Sequence, residues 1–292
     1  MGTSPADVSA LARELFDARA NGAPVAVAPS AREGGFTLDA AYAVEAELVS
    51  LRRDGGRQTV GRKVGFANKA MWRVLKLQTL VWGHMYDDTV QYATDGVATL
   101  STAGMVAPRI EPEVVFKLKA APPAGGDAAV GVAVGVDVGV DVGVDVGVSR
   151  VLEAVEWVAL GFEIVDCPFP DWKFQPVDFV ASFGLHAALI VGERRAIHAD
   201  DVERLAALVI RLSKDGAFVE EGYGKNALRN PALCLGELAS AITARLGMDP
   251  LAPGELVSTG TMTAAHPIAA GQRWDVAAEG GVLAPLALDV RD

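Results

Sequence analysis

Hydrophobic positions along the first part of the chain recur at helical intervals. Leu11, Leu15 and Phe16 share one face of a predicted helix, and a second amphipathic stretch runs over residues 38–51. A threonine before the second stretch suits an N-cap, and an Asp-Gly-Gly sequence ends it. We therefore predict a helical region over residues 1–60.

Short β-branched runs separated by Gly, Pro and Asp replace this pattern in the rest of the chain, which predicts a mainly β domain over residues 61–292. The predicted strand segments are 59–66, 89–100, 109–120, 179–192 and 256–276. Leucine-rich periodicity predicts two further helices, at 199–213 and 230–246.

A low-complexity repeat of Val, Gly and Asp occupies residues 130–148, with valine at every second place. This period allows a hairpin arm or an edge strand, and the composition equally allows disorder. The repeat has neither the spacing of a phosphate-binding loop nor that of an EF-hand. We interpret it as an insertion that forms an expanded loop between two site-bearing strands.

Composition narrows the class of protein. The 292 residues are 51% hydrophobic, which is enough for one large or two modest domains. A formal net charge of -11 argues against nucleic acid or an anionic membrane as the general partner. The two cysteines, Cys167 and Cys234, show no disulfide or zinc spacing, and no secretory signal or long apolar run occurs. We expect a cytoplasmic protein without a membrane span.

Three glutamates are the strongest candidates for chemistry. Glu111 and Glu113 are two residues apart in the apolar segment RIEPEVVF, so on a strand their side chains share one face. Glu163 lies in a similar setting, GFEIVD. The pair could be a solvated strand face, but burial of three acids among apolar residues is costly unless they share a cation. Oxygen-only ligands favour Mg²⁺ or Mn²⁺ over zinc.

Lys63 lies between glycines in the strand-like sequence GRKVGF. It could keep its ammonium in water while its stem packs against apolar neighbours. Next to a carboxylate-metal site it could instead orient an anionic substrate or transfer a proton. We take Lys63 as a candidate catalytic residue.

Two further segments carry weaker candidates. GHMYDD supplies His84 and Asp87 as possible proton-transfer groups, although a lone histidine is more often structural. STGTMT supplies hydroxyls and a glycine that could hold a carboxylate, although hairpins commonly contain such residues. The candidates for substrate binding in that segment are Ser258, Gly260, Thr261 and Thr263.

The order of GRKVGF, GHMYDD, RIEPEVVF, GFEIVD and STGTMT resembles the fumarylacetoacetate hydrolase superfamily over nearly the whole chain. Within it, the sequence is most similar to the branch of 2-oxopent-4-enoate hydratases and 4-oxalocrotonate decarboxylases of aromatic meta-cleavage pathways. The resemblance implies an α+β fold with a mixed β-barrel-like core of the fumarylacetoacetase C-terminal type, flanking helices and a smaller N-terminal helical region.

The resemblance also implies the contents of the site. Mg²⁺ or Mn²⁺ would be held by Glu111, Glu113 and Glu163, with Lys63 in the substrate pocket. Asp166 joins the expected substrate-binding residues. The expected substrate is a small 2-oxo or 2-hydroxy-dienoic acid, and the family leads us to expect a homo-oligomer.

The chain departs from this branch at three places. Cys167 and Pro168 replace a Ser-Arg pair, Ser182 and Phe183 replace an Asp-Asn pair with His186 three residues beyond, and Val81 replaces an acid. We expect these changes to make the pocket wall more apolar.

The function that these features favour is hydration of a 2-hydroxy-2,4-dienoate by a metal-dependent hydro-lyase. A 4-oxalocrotonate-type decarboxylase and an acylpyruvate hydrolase stay open as alternatives. Both would use the same metal-bound 2-oxo group to accept the electrons of the bond that breaks. A catalytically inactive metal-binding relative is the alternative from another class.

Overall fold

We describe the protein from a computed structural model, which covers residues 5–124 and 142–292. No helix in these two ranges is long and apolar enough to cross a membrane. The α-helices within them are α1 Pro5–Ala20, α2 Leu38–Asp54, α3 Lys69–Leu75, α4 Val142–Glu153, α5 Pro176–Ala181, α6 Val202–Ala206 and α7 Pro231–Ala244.

The strands of the described ranges form two sheets. They are β1 Thr59–Gly65, β2 Val81–Tyr86, β3 Val90–Tyr92, β4 Val97–Ser101, β5 Pro108–Leu118, β6 Val155–Asp166, β7 His186–Val191, β8 Arg195–Ala196, β9 Val209–Lys214, β10 Ala217–Tyr223, β11 Leu256–Thr261, β12 His266–Pro267, β13 Arg273–Ala278 and β14 Leu286–Arg291.

The larger sheet is mixed and curled. Its main order is β2-β1-β11-β5-β6-β7-β3. In addition, β12 pairs with β5, and β8 pairs with β6. The β1–β11 and β3–β7 pairs are parallel, whereas β5 pairs antiparallel with both β11 and β6. Strands β2 and β7 approach each other although five positions separate them in the order, so the sheet forms a half-barrel. The smaller sheet has the order β10-β9-β13-β14-β4.

A small apolar cluster fills the concave side of the half-barrel. Val115 belongs to this cluster and lies two residues beyond Glu113 on β5, so the carboxylates and the cluster share one face. A much larger apolar core lies between the convex side and the helices. The buried members of the concave cluster are Met85, Val115, Trp157, Ala159, Leu189, Val191 and Leu256.

The predicted N-terminal helices are observed as α1 and α2. The Thr37 side chain accepts a hydrogen bond from the Ala40 amide at 3.2 Å, which caps α2 as expected. The helix then buries an apolar face, and its Tyr42 ring lies 4.5 Å from the Trp82 ring of β2. This contact fixes the helical region against the outside of the larger sheet. The boundary at residue 60 stays a prediction.

Four predicted elements differ from the structure. The segment predicted as a strand at 89–100 forms β3 and β4, which belong to different sheets, and the segment predicted at 256–276 forms β11, β12 and β13. The helix predicted at 199–213 ends before β9, where Ile210 and Leu212 are buried and Arg211 is exposed, the alternation of a strand between two neighbours. The strand predicted at 179–192 begins only at His186. Pro176 at the helix start and a capping box made by Gln175 and Asp178 stabilise α5 ahead of it.

The low-complexity repeat connects β5 to β6, as predicted. Residues 130–141 of the predicted insertion lie outside the described part of the chain. At its end the structure has helix α4 where a loop, hairpin or edge strand was expected. Val148, Val151 and Leu152 are buried at helical spacing, so tertiary packing decides the conformation there.

Candidate metal centre and substrate pocket

The three predicted carboxylates converge on the concave face of the half-barrel. Glu111 of β5 lies directly opposite Glu163 of β6 in the strand register, and Glu113 follows on the same face. One carboxylate oxygen from each residue lies within 4.8 Å of the other two. Glu113 and Glu163 are completely buried, and Glu111 is half-buried. This spacing would allow one cation to contact all three side chains.

The oxygens of Glu113 show how well a cation would fit. Oε2 accepts hydrogen bonds from the Ser258 hydroxyl at 2.5 Å and the Gly260 amide at 2.9 Å. Oε1 is buried and has no hydrogen-bond partner within the described ranges. A buried carboxyl oxygen without a partner is costly, and a hard divalent cation would relieve that cost. The carboxylate donor set therefore fits Mg²⁺ or Mn²⁺.

Gly260 is required by the local backbone. The pairing of β11 with β5 is irregular between Ser258 and Thr261, and Gly260 within that irregularity has φ +91°. A β-carbon at Gly260 would also lie 2.8 Å from the Ala67 side chain. Glycine tolerates both conditions, and the resulting bulge directs the Gly260 amide at Glu113. The STG sequence thus orients a candidate metal ligand.

The ionisation of the three acids differs because their neighbours differ. Burial raises the pKa of Glu111 to about 7. Burial, followed by the charges of Glu163 and Glu111, raises the pKa of Glu113 well above its usual range. Burial acts in the same direction on Glu163, but Lys63 and His186 outweigh it, and the pKa of Glu163 is lowered. Without a cation, the negative charge of the cluster is therefore concentrated on Glu163.

Lys63 is buried inside the cluster, with 2% exposure, so its ammonium does not reach solvent as a snorkelling lysine would. Its Nζ lies 3.0 Å from Glu163 Oε2 and donates a hydrogen bond to the Gly184 carbonyl at 3.1 Å. Burial lowers the pKa of Lys63, but the charges of Glu163, Glu111 and Glu113 outweigh it and raise that pKa. Lys63 therefore carries a proton at the metal-free site.

His186 is a further residue of the site, one for which the sequence pattern predicts no role. Its Nδ1 lies 2.9 Å from Glu163 Oε1, and its Nε2 lies 2.9 Å from the Thr89 hydroxyl oxygen. The side chain is buried at the start of β7. The available signal was a histidine in the otherwise apolar strand HAALIV, where a buried imidazole needs polar partners.

The structure does not bring His84 to the carboxylates. In the β1–β2 register His84 lies opposite Arg62, whereas Lys63 lies opposite Gly83, so His84 and Lys63 face opposite sides of the sheet. The His84 ring pairs with the buried carboxylate of Glu45 on α2. This contact ties the helix to the sheet and gives His84 a structural environment.

Asp87 and Asp166 also lie away from the cavity. Asp87 is exposed, and its Oδ1 accepts a hydrogen bond from the Gln58 amide at 3.1 Å. The Asp166 carboxylate accepts hydrogen bonds from the amides of Val106 and Ala107, the latter at 2.7 Å. Both acids stabilise loops, and the chemical roles expected for them have no support in this geometry.

A cavity of about 410 Å³ opens beside Lys63 and Glu111, within the size range of small-molecule sites. Gly260, Thr261 and Thr263 line it, whereas Ser258 lies behind Glu113, and substrate binding by these residues stays a prediction. The remaining lining residues are Val64, Gly65, Phe66, Ala67, Asn68, Val165, Trp172, Phe174, Phe179, Leu185 and Asn226.

The wall of this cavity is apolar, but not for the predicted reason. Val81, Cys167 and Phe183 are buried in the core and are not among the lining residues. The apolar character comes from aromatic side chains of the loops after β1 and β6 and of helix α5. Loop residues of this kind follow no periodic pattern, so the sequence did not indicate them.

Comparison with known proteins places this geometry in a family. Residues 117–287 match the model of the fumarylacetoacetate (FAA) hydrolase C-terminal family. The chain belongs to this family. It is 30% identical over 246 residues to 2-hydroxyhexa-2,4-dienoate hydratase of Comamonas testosteroni, covering 84% of each chain. It is 27% identical over 245 residues to 4-oxalocrotonate decarboxylase of Pseudomonas sp. strain CF600, covering 84% of this chain and 83% of the relative.

A solved structure confirms the fold of this fumarylacetoacetate hydrolase family member. The 4-oxalocrotonate decarboxylase from Pseudomonas putida G7, complexed with magnesium and adipate, superimposes with a TM-score of 0.83. The match covers 99% of both chains at 24% sequence identity. The predicted α+β fold of the fumarylacetoacetase C-terminal type is therefore confirmed.

Proposed function

We propose that the protein is a divalent-metal-dependent hydratase of aromatic catabolism. It would add water to a 2-hydroxy-2,4-dienoate, a tautomer of a 2-oxo-4-enoate, and release a 4-hydroxy-2-oxo acid. The observation that carries this proposal is the convergence of Glu111, Glu113 and Glu163 with buried Lys63 beside one cavity. The similarity to a dienoate hydratase at 30% identity supports the same reaction class.

Glu111, Glu113 and Glu163 would hold Mg²⁺ or Mn²⁺. When bound, the cation supplies charge stabilisation for the C1 carboxylate and the C2 oxygen of the substrate. The Ser258 hydroxyl and the Gly260 amide keep Glu113 in place, so that its second oxygen faces the cluster. This arrangement is prepared before substrate arrives, which limits the reorganisation needed at the site.

Lys63 is the candidate for proton transfer. The reaction removes the enol proton, adds a proton at C5, and adds the hydroxyl and the remaining proton of water at C4 and C3. Lys63 holds a proton at Nζ beside the cavity, and we assign it the role of supplying the proton at C5. The aromatic wall would exclude bulk water from the charged intermediate.

The proposal is tested with purified protein, Mg²⁺ and 2-hydroxypenta-2,4-dienoate, by following the loss of the conjugated ultraviolet band and identifying the 4-hydroxy-2-oxo acid product. Removal of the metal with a chelator should stop the reaction, and added Mg²⁺ should restore it. Glu111→Gln and Glu113→Gln should abolish Mg²⁺ binding in calorimetry. Retained binding in both variants would contradict the ligand set, and the absence of metal-dependent turnover of any dienoate would contradict the function.

Decarboxylation of a 4-oxalocrotonate-type acid is the second candidate. A relative of that name matches 84% of this chain at 27% identity. Loss of a distal carboxylate would leave its electron pair on the same C2 oxygen that the cation stabilises in the hydratase reaction. Measurement of CO₂ release from 2-hydroxyhexa-2,4-dienedioate distinguishes the two reactions, because hydration retains all carbon atoms.

We further propose that the protein acts in the cytoplasm as a homo-oligomer. Cys167 and Cys234 are buried and free, which suits a reducing compartment. Light scattering of the purified protein after size exclusion tests the oligomeric state, and a monomeric mass would contradict it.

A further inference from the structure

Four aromatic rings form a continuous wall on one side of the cavity. The Phe66 ring centroid lies 5.4 Å from that of Phe179 and 6.4 Å from that of Phe174, and both pairs meet edge to face. Trp172 extends the series, with its ring centroid 6.1 Å from that of Phe174. At the inner end, Phe179 lies 4.6 Å from the Lys63 ammonium. The wall therefore begins at the candidate catalytic lysine and continues outward.

The backbone fixes part of this wall in place. Phe66 and Trp172 have φ values of 59° and 58°, in the left-handed region that bulky residues rarely adopt. Such a conformation persists only where the surroundings hold it. The indole of Trp172 donates to the Ala107 carbonyl at 3.0 Å, and the Trp72 indole donates to the Phe66 carbonyl at 2.7 Å. These hydrogen bonds hold the wall before a ligand binds.

Positive charge is scarce along the same surface. Of the cavity-lining residues in the described ranges, Lys63 alone is cationic, and Glu163 and the Gly184 carbonyl already engage its ammonium. The guanidinium of Arg109 stacks 4.0 Å from the Trp172 ring centroid, but Arg109 is not among the lining residues. Neutral hydrogen-bonding side chains also line the cavity, namely Asn68, Asn226, Thr261 and Thr263. A carboxylate directed along the aromatic rings would therefore lose hydration without gaining an ion pair.

We propose that this cavity selects 2-hydroxy-2,4-dienoates whose distal carbon carries an apolar alkyl group, and that it rejects those with a distal carboxylate. The proposal rests on the proposed function, because the metal site would bind the C1 carboxylate and C2 oxygen and direct the opposite end of the substrate along the wall. Phe66, Trp172 and Phe174 are the specificity-determining residues.

The test uses unreactive 2-oxo acids, so that binding is measured apart from turnover. Calorimetry with the Mg²⁺-loaded protein compares 2-oxopentanoate, 2-oxohexanoate, 2-oxoheptanoate and 2-oxoadipate. Each buried methylene should tighten binding about fourfold, so that 2-oxoheptanoate, with two more methylenes, binds about 16-fold more tightly than 2-oxopentanoate. The 2-oxoadipate anion should bind at least about tenfold more weakly than 2-oxohexanoate, which has the same number of carbons.

Four variants test whether the selectivity comes from the wall. Phe174→Ala should remove most of the gain in binding affinity per methylene. Phe174→Lys should shift the binding preference toward 2-oxoadipate. Phe218→Ala is the matched control, because Phe218 is 54% exposed on β10 and does not line the cavity. Arg109→Met should leave 2-oxoadipate binding unchanged.

The outcomes separate this proposal from the one on which it rests. Binding of 2-oxo acids without a chain-length preference, or with a preference for 2-oxoadipate, would overturn the selectivity and leave the hydratase function standing. A selective loss of 2-oxoadipate binding in Arg109→Met would also overturn it, by assigning Arg109 to a distal carboxylate. Absence of both 2-oxo acid binding and dienoate turnover would overturn the two proposals together.

Discussion

The Nδ1 atom of His186 lies 2.9 Å from Oε1 of Glu163, in a region where neither side chain reaches solvent. Because an ionised carboxylate only accepts hydrogen bonds, Nδ1 must carry a proton. The Thr89 hydroxyl lies 2.9 Å from Nε2 and 3.0 Å from the Tyr86 carbonyl oxygen, and its one hydrogen can be donated to either acceptor. Burial lowers the pKa of His186, which is consistent with the neutral form. The histidine thus fixes the orientation of one candidate metal ligand.

Replacement of this histidine should weaken metal binding. His186→Leu removes the donor to Glu163, and loss of a residue that orients a metal ligand typically costs about 10- to 100-fold in metal affinity. His186→Asn should recover part of the affinity, because its amide can replace Nδ1–H. Calorimetry with Mg²⁺ measures both, and circular dichroism checks the fold.

His84→Leu is the matched control for this histidine. His84 pairs with Glu45 on the other side of the sheet, so its loss should lower the melting temperature and leave the Mg²⁺ affinity unchanged. An equal loss of metal affinity in His84→Leu and His186→Leu would show that His186 has no specific role in positioning Glu163.

Lys63→Met should separate metal binding from proton transfer. Methionine keeps most of the buried volume of the stem but cannot hold a proton, so turnover should fall by about 10²- to 10⁴-fold. Removal of a buried cation next to Glu163 also removes a competitor of Mg²⁺, so metal affinity should be retained or increased. Lys69→Met, in exposed helix α3, is the control and should leave both quantities unchanged. Unaltered turnover in Lys63→Met would remove the assigned role.

The metal ligands were predictable because strand geometry is local. Residues that are two apart on a strand point to the same face, so Glu111 and Glu113 could be assigned to one site from their spacing alone. The position of Glu163 opposite Glu111 depends on the β5–β6 register, which is set by long-range pairing. His84 lies on the opposite side of the sheet from Lys63, and the sequence does not show which face of β2 meets the concave side. Asp87 lies in the exposed turn after β2, where strand alternation no longer applies.

Mg²⁺ should stabilise the protein more at pH 8 than at pH 6. Burial raises the pKa of Glu111 to about 7 and that of Glu113 well above its usual range, so the metal-free folded state retains protons there. An acid whose folded pKa is raised loses stability as pH rises through that value, and Mg²⁺ binding must displace the same protons. For Glu111 alone, the Mg²⁺ affinity at pH 6 should be about tenfold weaker than at pH 8.

The measurement for this pH effect is the Mg²⁺-induced rise in melting temperature at the two pH values. Glu111→Gln is the control, because it cannot release that proton and should show no metal-induced rise at either pH. A rise that is equal at pH 6 and pH 8 in the unaltered protein would contradict the coupling between proton release and metal binding.

Long-range packing also explains which parts of the fold escaped prediction. Leucine-rich periodicity continued from α6 into β9, and only the neighbouring strands β10 and β13 make residues 209–214 a strand. His186 and the aromatic wall were not predicted from the sequence for a related reason. Their roles come from partners far along the chain, such as Thr89 and Glu163 for His186.

Gly65 and Phe179 should show strong energetic coupling. A β-carbon at Gly65 would overlap the Phe179 ring, so Gly65→Ala should destabilise the protein by about 1–3 kcal/mol through overpacking. Phe179→Leu creates space at the cost of lost aromatic contacts, and the added methyl of Gly65→Ala can occupy that space. The double variant should therefore be more stable than the sum of the two single effects predicts, by at least about 0.5 kcal/mol in urea unfolding.

Gly222→Ala with Phe179→Leu is the control pair, because Gly222 packs against Ile210 and Thr263 instead. Strict additivity of Gly65→Ala and Phe179→Leu would show that the Gly-X-Lys-Val-Gly sequence does not need its second glycine for this contact.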